Sequence, residues 1–127
     1  MVRIIIVDDD IESAKALKRI VNGKKGITVT GLFSDGEQAV EHCLATKPDL
    51  VLLDMQMPGI DGNEVCRRIK QTDPEIKILI MTFYQIKENE IAAVRSGCDG
   101  YLYKGHTGDE IAAVIKGTMT GMLTYEN

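Results

Sequence analysis

The chain has 127 residues, which is enough for one domain with a substantial buried core. Hydrophobic residues make up 44% of the sequence, which excludes an intrinsically disordered chain. The formal net charge of -4 argues against direct binding to DNA or to an anionic membrane surface. The start of the chain, MVRIIIVDDD, holds too few apolar residues before its carboxylates for a signal peptide or a membrane span. We therefore expect a cytoplasmic protein.

The cysteines have spacings that fit neither a CxxC pair nor a metal cluster. Each of them lies beside apolar residues in a segment of helical or strand character. We therefore expect Cys43, Cys66 and Cys98 to be small buried core residues rather than redox or metal-binding groups.

Apolar runs of strand length alternate with segments of helical period along the whole chain. Continuous apolar runs are typical of strands that are buried on both faces of a sheet. In chain order, the pattern predicts a strand at Arg3–Val7, a helix at Ile11–Asn22, a strand at Ile27–Phe33, a helix at about Gly36–Thr46, a strand at Leu50–Leu53, a helix from about Asp61, a strand at Lys77–Met81, a helix at about Lys87–Ser96, a strand at Gly100–Tyr103 and a helix from about Thr107.

Capping signals and apolar faces support the helices of this series. Ser34 with Glu37, and Thr107 with Glu110, fit capping boxes at the starts of the second and fifth helices. The apolar period predicts core-facing residues on every helix. They are Ala14, Leu17 and Val21 on the first helix, Val40, Cys43 and Leu44 on the second, Val65 and Ile69 on the third, Ile91 and Val94 on the fourth, and Ile111, Val114 and Ile115 on the fifth.

Strands that alternate with helices in this way predict βαβ units and a parallel sheet. Because crossovers between parallel strands are right-handed, the helices should cover both faces of that sheet. The sequence therefore predicts one doubly wound α/β domain of three layers, without an internal linker.

Polar side chains follow four of the predicted strands at the point where each strand ends. Asp8 and Asp9 follow the first strand, Asp54 follows the third, Thr82 the fourth and Lys104 the fifth. The carboxyl ends of parallel strands share one edge of an open sheet, and ligands bind there. We therefore expect these side chains to lie together.

The chemistry of these side chains suits a phosphoryl group. Clustered carboxylates repel one another, and hard oxygen ligands of this kind bind Mg²⁺ or Mn²⁺. A carboxylate such as Asp54 can also attack phosphorus and form an aspartyl phosphate. The phosphoryl oxygens then need partners, which the Thr82 hydroxyl and the Lys104 ammonium can supply.

Each of these residues also has a purely structural interpretation. The acidic run can cap the first helix, and Asp10 is the residue placed to do so. Lys104 alone would be an ordinary solvated lysine, and Thr82 alone an ordinary strand-end hydroxyl. Asp54 is harder to explain as a cap, because it follows LVLL directly and precedes a turn at MPG. The joint placement at corresponding strand ends favours a shared site.

These residues carry a family resemblance. The segments VDDD after the first strand, LLDMQMPGIDG around Asp54, MTF after the fourth strand and GYLYK after the fifth resemble the receiver domain of bacterial two-component response regulators. The resemblance covers essentially the whole chain, and LLDMQMPGIDG is its most specific part. It implies a flavodoxin-like sheet of five parallel strands in the order 2-1-3-4-5, with five flanking helices.

The resemblance implies roles at the acidic end of the site. Asp54 corresponds to the phosphoacceptor of the family. Asp8 and Asp9 match the acidic pair that holds a divalent metal, together with Asp54. Gln56 lies where the family supplies a backbone carbonyl to that metal. The implied cofactor is Mg²⁺, with Mn²⁺ as the alternative.

Three further residues match the family's switch. Thr82 matches the hydroxyl that bonds the phosphoryl group, and Lys104 matches the lysine that pairs with it. Tyr101 matches an aromatic residue that turns inward when the hydroxyl residue moves. From the strand pattern alone, Tyr101 would be a half-buried strand aromatic. The implied output surface is formed by the fourth helix, the fifth strand and the fifth helix.

The implied function is a phosphoprotein switch rather than an enzyme that turns over an external substrate. A histidine kinase would phosphorylate Asp54, and a phosphorylation-dependent homodimer would follow, with the first and fifth helices as one candidate face. The segment 82–121 is most similar to receivers of the NarL/LuxR type, which continue into a helix-turn-helix DNA-binding domain that controls transcription. We expect that domain to be missing from this chain. A stand-alone receiver or a phosphorelay module is the alternative.

Two features depart from the family pattern. Gly105 follows Lys104, where Asp or Pro is common, and with Gly108 it is expected to loosen the loop after the fifth strand. Phe83 and Tyr84 follow Thr82, where smaller residues are frequent. We expect them to stabilise this segment or to form a partner surface.

A Mg²⁺-dependent phosphohydrolase of the haloacid dehalogenase type is a remote alternative. Asp8 and Asp10 have the spacing of its two carboxylates, with Asp8 as the nucleophile. Glu12 stands where that class has Thr or Val, and the later acidic pair of that class is not found. The resemblance to a receiver is therefore preferred.

Overall fold

The computed structural model describes residues 1–83 and 87–121, together with the backbone of residues 124 and 125. Its elements are β1 (Val2–Val7), α1 (Ile11–Val21), β2 (Ile27–Phe33), α2 (Gly36–Thr46), β3 (Leu50–Asp54), α3 (Gly62–Thr72), β4 (Lys77–Thr82), α4 (Lys87–Arg95), β5 (Gly100–Tyr103), α5 (Gly108–Met119) and β6 (Thr124–Tyr125). A short 3₁₀ turn at Lys24–Gly26 precedes β2. Among the described residues, no helix has both the length and the apolar character that a membrane span requires.

The strands form one parallel sheet in the order β2-β1-β3-β4-β5-β6. The predicted order of the first five strands is therefore confirmed. The sequence did not predict β6, which pairs with Gly100 and Tyr101 of β5. A strand of two residues carries no apolar period, so its pairing with the outer edge of β5 cannot be recognised from the sequence.

Two apolar layers enclose the sheet. Alternate residues of each strand enter one layer or the other, so that Ile5 packs with α2 and α3 while Ile4 packs with α1 and α5. Both faces are covered, which explains the continuous apolar runs of β1, β3 and β4. All three cysteines are buried in the first layer, as predicted.

The helix starts agree with the sequence at all but one of the predicted caps. Asp61 caps α3 by accepting from the Glu64 N–H, and Thr107 with Glu110 forms the predicted capping box of α5. The predicted box of Ser34 with Glu37 is wrong. Asp35 is the N-cap of α2, and its carboxylate accepts from the Glu37 N–H at 2.8 Å. The residue directly before the first helical residue reaches that N–H more easily than Ser34 does.

The predicted core face of α4 is also wrong. Ile91 and Val94 are 41% and 48% exposed, whereas Ala93 is buried against the sheet. Leu44 on α2 is likewise exposed, and Ala39 is buried in its place. In both helices a small residue lets the backbone approach the sheet closely, and the larger apolar residues are left on the flank. The α4 surface therefore carries exposed apolar side chains next to β5.

Candidate functional site

The order of the strands brings the predicted site residues to one edge of the sheet. β1 lies beside β3, β3 beside β4, and β4 beside β5. The register pairs Val7 with Leu53 and Thr82 with Tyr103, so the chain leaves all four strands at nearly the same level. The residues at and after these strand ends, all but one of them polar, line a cavity of about 230 Å³: Asp8, Asp9, Asp10, Ser13, Asp54, Gln56, Thr82, Phe83 and Lys104.

Three carboxylates form the acidic part of this cavity. Asp8, Asp9 and Asp54 each offer one oxygen, and these oxygens lie within 4.8 Å of one another. Asp8 and Asp54 are buried, and Asp9 is exposed. Like charges at this separation repel one another strongly unless a cation lies between them. The donor set is the one that a hard divalent cation prefers, so these residues fit the predicted Mg²⁺.

Backbone groups hold the carboxylates in place. The Asp8 Oδ1 atom accepts from the Asp10 N–H at 3.0 Å, and the Asp8 N–H donates to the Phe33 carbonyl of β2. The Gln56 N–H points at Asp54 Oδ1 over 3.5 Å. The Gln56 side chain itself is exposed. Asp10 serves as the N-cap of α1, as predicted, by accepting from the Glu12 and Ser13 N–H groups.

Lys104 is the cation of the site. Its Nζ atom lies 2.7 Å from Asp8 Oδ2 and 3.6 Å from Asp54 Oδ1. The lysine side chain is only 11% exposed, so this pairing takes place with little screening by water. The sequence placed Lys104 in the site but did not indicate that its shorter ion pair is with Asp8. The ammonium compensates part of the charge of the acidic cluster.

Burial raises the pKa of Asp54 to about 6, from an ordinary value of 3.8. The Lys104 ammonium and the Gln56 N–H oppose this rise, while the neighbouring carboxylates of Asp8 and Asp9 add to it. Desolvation is the largest of these causes, because a carboxylate loses hydration at the buried end of β3. The charged form of the Asp54 carboxyl group is therefore less favourable here than in water.

Thr82 and Tyr101 lie on adjacent strands. Thr82 is buried at the end of β4, and its carbonyl accepts from the Lys104 N–H at 2.8 Å. Tyr101 is fully buried in the core layer on the α4 side of β5, rather than half-buried as the strand pattern suggested. Its pKa is raised by burial and further by the Glu90 carboxylate of α4. The aromatic ring therefore adjoins the helix that carries the exposed apolar face.

Gly62 is a residue of the site that sequence reasoning missed. A Cβ atom at this position would lie 2.3 Å from the Asp54 carbonyl oxygen, and the Gly62 N–H donates to the Met55 carbonyl at 2.9 Å. The first turn of α3 thus rests directly on the backbone of the predicted phosphoacceptor. The DG pair of LLDMQMPGIDG was the available signal, but it was read only as the start of a helix.

Gly105 lies in close contact with the Tyr103 ring. A Cβ atom at Gly105 would lie 2.2 Å from the Tyr103 ring, so the missing side chain makes room for a close aromatic contact. Gly108 similarly allows the start of α5 to approach the Ile20 carbonyl of α1. Both glycines thus permit close contacts at this edge, and their effect on the mobility of the loop stays a prediction. Tyr84, which was expected to support the segment after Thr82, lies outside the described residues.

Comparisons with known proteins agree with this geometry. The chain is 36% identical over 121 residues to the response regulator UvrY of Escherichia coli O6:H1, in an alignment that covers 95% of this chain and 56% of UvrY. The chain thus spans about half the length of such curated relatives.

Two solved structures have the same fold. One is a two-component response regulator of the LuxR family from Aurantimonas sp. SI85-9A1, with a TM-score of 0.90, 30% identity, and coverage of 96% of this chain and 87% of that chain. The other is the signal receiver domain of a response regulator described as NarL from Mycobacterium tuberculosis, with a TM-score of 0.89, 28% identity, and coverage of 94% and 97%. The predicted similarity to receivers of the NarL/LuxR type is confirmed.

A family model also matches most of the chain. The model described as "Response regulator receiver domain" matches residues 4–116, a range that runs from β1 into α5 and includes every residue of the cavity. The match and the strand order are independent observations, and they agree. The chain belongs to the response regulator receiver domain family.

Proposed function

We propose that this receiver is a switch that accepts a phosphoryl group on Asp54 from a histidine kinase. The observation that carries the proposal is the position of the Asp54 carboxylate, buried at the end of β3 beside Asp8 and 3.6 Å from the Lys104 ammonium. Receiver domains are signalling switches rather than turnover enzymes, and response regulators act with histidine kinases. The proposal assigns the switch to the cytoplasm.

Asp8, Asp9 and Asp54, with the backbone carbonyl of Gln56, would hold Mg²⁺ or, in its place, Mn²⁺. The clustering of three carboxylate oxygens within 4.8 Å supports this assignment. When it is bound there, the cation supplies positive charge that neutralises the carboxylates and the phosphoryl oxygens. The exposed Asp9 carboxylate leaves this side of the cavity open to solvent.

Asp54 acts as the nucleophile. An ionised Asp54 oxygen attacks the phosphorus atom of a phosphohistidine, and a P–O bond forms as the P–N bond breaks. The imidazole leaves with the electron pair of that bond and takes up a proton from solvent. The Asp54 pKa of about 6 leaves the carboxyl group mostly ionised near neutral pH, which the attack requires.

Lys104, Thr82 and Tyr101 respond to the new group. The phosphoryl group adds up to about two negative charges. The Lys104 ammonium leaves Asp8 and pairs with the phosphoryl oxygens, while the Thr82 hydroxyl donates to another of them. Phosphorylation shifts the conformational equilibrium because these contacts form better in one arrangement than in the other. Tyr101 and α4 transmit that shift to the surface of α4 and β5.

The output of the switch is proposed from the relatives. UvrY is longer than this chain, and one structural neighbour is described as a regulator of the LuxR family. We propose that the full-length protein carries a C-terminal helix-turn-helix domain through which it controls transcription. Phosphorylation would favour a homodimer through the α4 and β5 surface, or through α1 and α5. These relatives favour a transcription regulator over a stand-alone receiver.

The test is a phosphorylation assay. Incubation with Mg²⁺ and acetyl phosphate should add the mass of one phosphoryl group to the intact protein, and Asp54→Asn should abolish the gain. Asp109→Asn, which removes an exposed carboxylate from α5, is the matched control and should retain the gain. No gain in the unaltered protein, or a gain that survives Asp54→Asn, would contradict the proposal.

The phosphohydrolase alternative is disfavoured by two contacts. The Asp10 carboxylate accepts from the Glu12 and Ser13 N–H groups at the start of α1, so it is engaged as a helix cap. The Asp8 carboxylate is paired with Lys104 at 2.7 Å. A phosphoryl group on Asp8 in the same mass experiment would revive this alternative.

A further inference from the structure

Phe83 is an exposed aromatic residue at the rim of a buried polar site. It follows Thr82 directly, and its side chain is 58% exposed. The Lys104 Nζ atom lies over the face of its ring, 5.0 Å from the centroid. Phe83 lines both the acidic cavity and a second, mainly apolar cavity of about 200 Å³, which Ile20, Met81 and Ile111 also line. The ring therefore stands at the border between the two cavities.

The surroundings of Lys104 make this contact consequential. The ammonium lies 2.7 Å from Asp8 Oδ2, 3.6 Å from Asp54 Oδ1 and 5.0 Å from the centroid of the Phe83 ring. The face of an aromatic ring carries partial negative charge, so it attracts a cation without accepting a directional hydrogen bond. A lysine has a flexible stem of four carbons, and the apolar cavity beside it offers space into which the stem could turn. The ring therefore attracts the ammonium at a position where Lys104 borders both cavities.

We propose that Phe83 is a positioning residue that holds the Lys104 ammonium at the acidic cavity through the face of its ring. This inference rests on the proposed function, since it concerns how Lys104 reaches the phosphoryl group on Asp54. The ion pair with Asp8 can hold the Lys104 ammonium only until the ammonium leaves Asp8 for the phosphoryl group. The ring keeps the cation within reach of Asp54 when the Asp8 pairing is given up.

The test compares variants that separate the ring face from apolar bulk. Phe83→Tyr keeps an aromatic face, and Phe83→Leu keeps an apolar side chain without one. With acetyl phosphate and Mg²⁺, we expect Phe83→Leu to gain phosphoryl mass roughly two- to fivefold more slowly than the unaltered protein, and Phe83→Tyr to stay within about twofold. Ile20→Ala, which removes apolar surface from the second cavity without touching Lys104, is the control and should keep the unaltered rate.

A double-mutant cycle shows whether Phe83 acts through Lys104. In a Lys104→Met background, Phe83→Leu should cause no further decrease in rate, because the cation that the ring holds is gone. Equal slowing of Phe83→Leu and Phe83→Tyr, or an undiminished effect of Phe83→Leu in the Lys104→Met background, would overturn the proposal.

The same cycle in urea unfolding does not depend on phosphorylation. The four proteins should show a coupling between Phe83 and Lys104 of roughly two- to fivefold in the unfolding equilibrium constant. If the unaltered protein gains no phosphoryl mass, the proposed function fails whatever this coupling is. If it gains mass but the coupling in unfolding is absent, the positioning role of Phe83 fails alone.

Discussion

At the scale of single residues, Asp54 occupies surroundings that oppose its own charge. Burial at the end of β3 and the neighbouring carboxylates raise its pKa, and one ammonium only partly offsets these effects. Proteins shift pKa values in this way where a group must react, and the shift lowers stability. The Lys104 ammonium reduces the energetic cost of the charged Asp54 carboxylate, and the same ammonium can pair with a phosphoryl group.

The raised pKa predicts how stability depends on pH. The folded protein binds the Asp54 proton more tightly than the unfolded chain does, so this stabilisation is complete below about pH 3.8 and is lost as the pH rises through about 6. Asp54→Asn mimics the neutral group and should therefore raise the free energy of unfolding by roughly 1–3 kcal/mol at pH 7.5. The gain should shrink as the pH falls towards about 4 in urea unfolding curves.

Asp109→Asn serves as the control for this experiment, because its carboxylate is exposed on α5. Its effect at pH 7.5 should stay within about 0.5 kcal/mol. If Asp54→Asn lowered stability at pH 7.5, the proposed desolvation of this carboxylate would be wrong.

At the scale of elements, the site depends on how closely the first turns of helices approach the strands. α2, α3 and α5 begin with Gly36, Gly62 and Gly108, and a Cβ atom at any of these positions would contact a neighbouring group at less than 3 Å. Only at Gly62 is that group the backbone of Asp54, the proposed phosphoacceptor. The position of α3 and the position of Asp54 are therefore mechanically linked.

Gly62→Ala should lower the free energy of unfolding by about 1–3 kcal/mol, although alanine is the better helix former. The reason is that the Cβ atom must displace either α3 or the Asp54 carbonyl. Urea unfolding with intact-mass phosphorylation measures both consequences, and the phosphorylation rate should fall as well. Gly36→Ala is the matched control at the same helical position. Its Cβ would lie 2.7 Å from Val65 Cγ2 and 2.8 Å from Ile60 Cγ1, so its nearest neighbours are side-chain rather than backbone atoms. A smaller loss of stability from Gly62→Ala than from Gly36→Ala would contradict this linkage.

The elements also show what a sequence can reveal. The strands β1 to β5 were predictable because apolar runs of strand length are conspicuous, and their predicted bounds differ from the structure by no more than a residue. The core face of α4 was not predictable from its period. Ile91 and Val94 follow a helical spacing, yet the small Ala93 faces the sheet. Periodicity identifies an apolar stripe on a helix. How deeply each side chain of that stripe is buried depends on how the helix packs against the neighbouring element.

At the scale of the whole molecule, the topology assembles the site. Once the strand order is known, residues that follow β1, β3, β4 and β5 must meet at one edge, which is why the sequence could predict Asp8, Asp54, Thr82 and Lys104 as neighbours. The sequence could not predict that the Lys104 ammonium lies closer to Asp8 than to Asp54, or that it lies over the Phe83 ring. Both features depend on differences of about an ångström in side-chain placement, which strand order does not fix.

Mg²⁺ should stabilise the whole domain if the acidic cluster holds it. At ten times its Kd, the cation should raise the free energy of unfolding by about 1.4 kcal/mol, because it binds only the folded chain. Thermal unfolding with and without MgCl₂, at ionic strength matched with NaCl, measures this gain. Asp8→Asn should reduce it, while Asp109→Asn should not. An equal gain in all three proteins would show general salt screening instead of a site.

The ion pair of Lys104 with Asp8 joins residues that are 96 positions apart in the chain. During synthesis, Asp8 leaves the ribosome long before Lys104 does, because β5 follows β1, β2, β3 and β4 in the chain. The nascent domain therefore has Asp8 and Asp54 without the Lys104 ammonium until β5 has been synthesised. A fragment released before β5 is made would lack the Lys104 ammonium that offsets the negative charge of Asp8 and Asp54. Such a fragment would therefore carry an uncompensated acidic cluster.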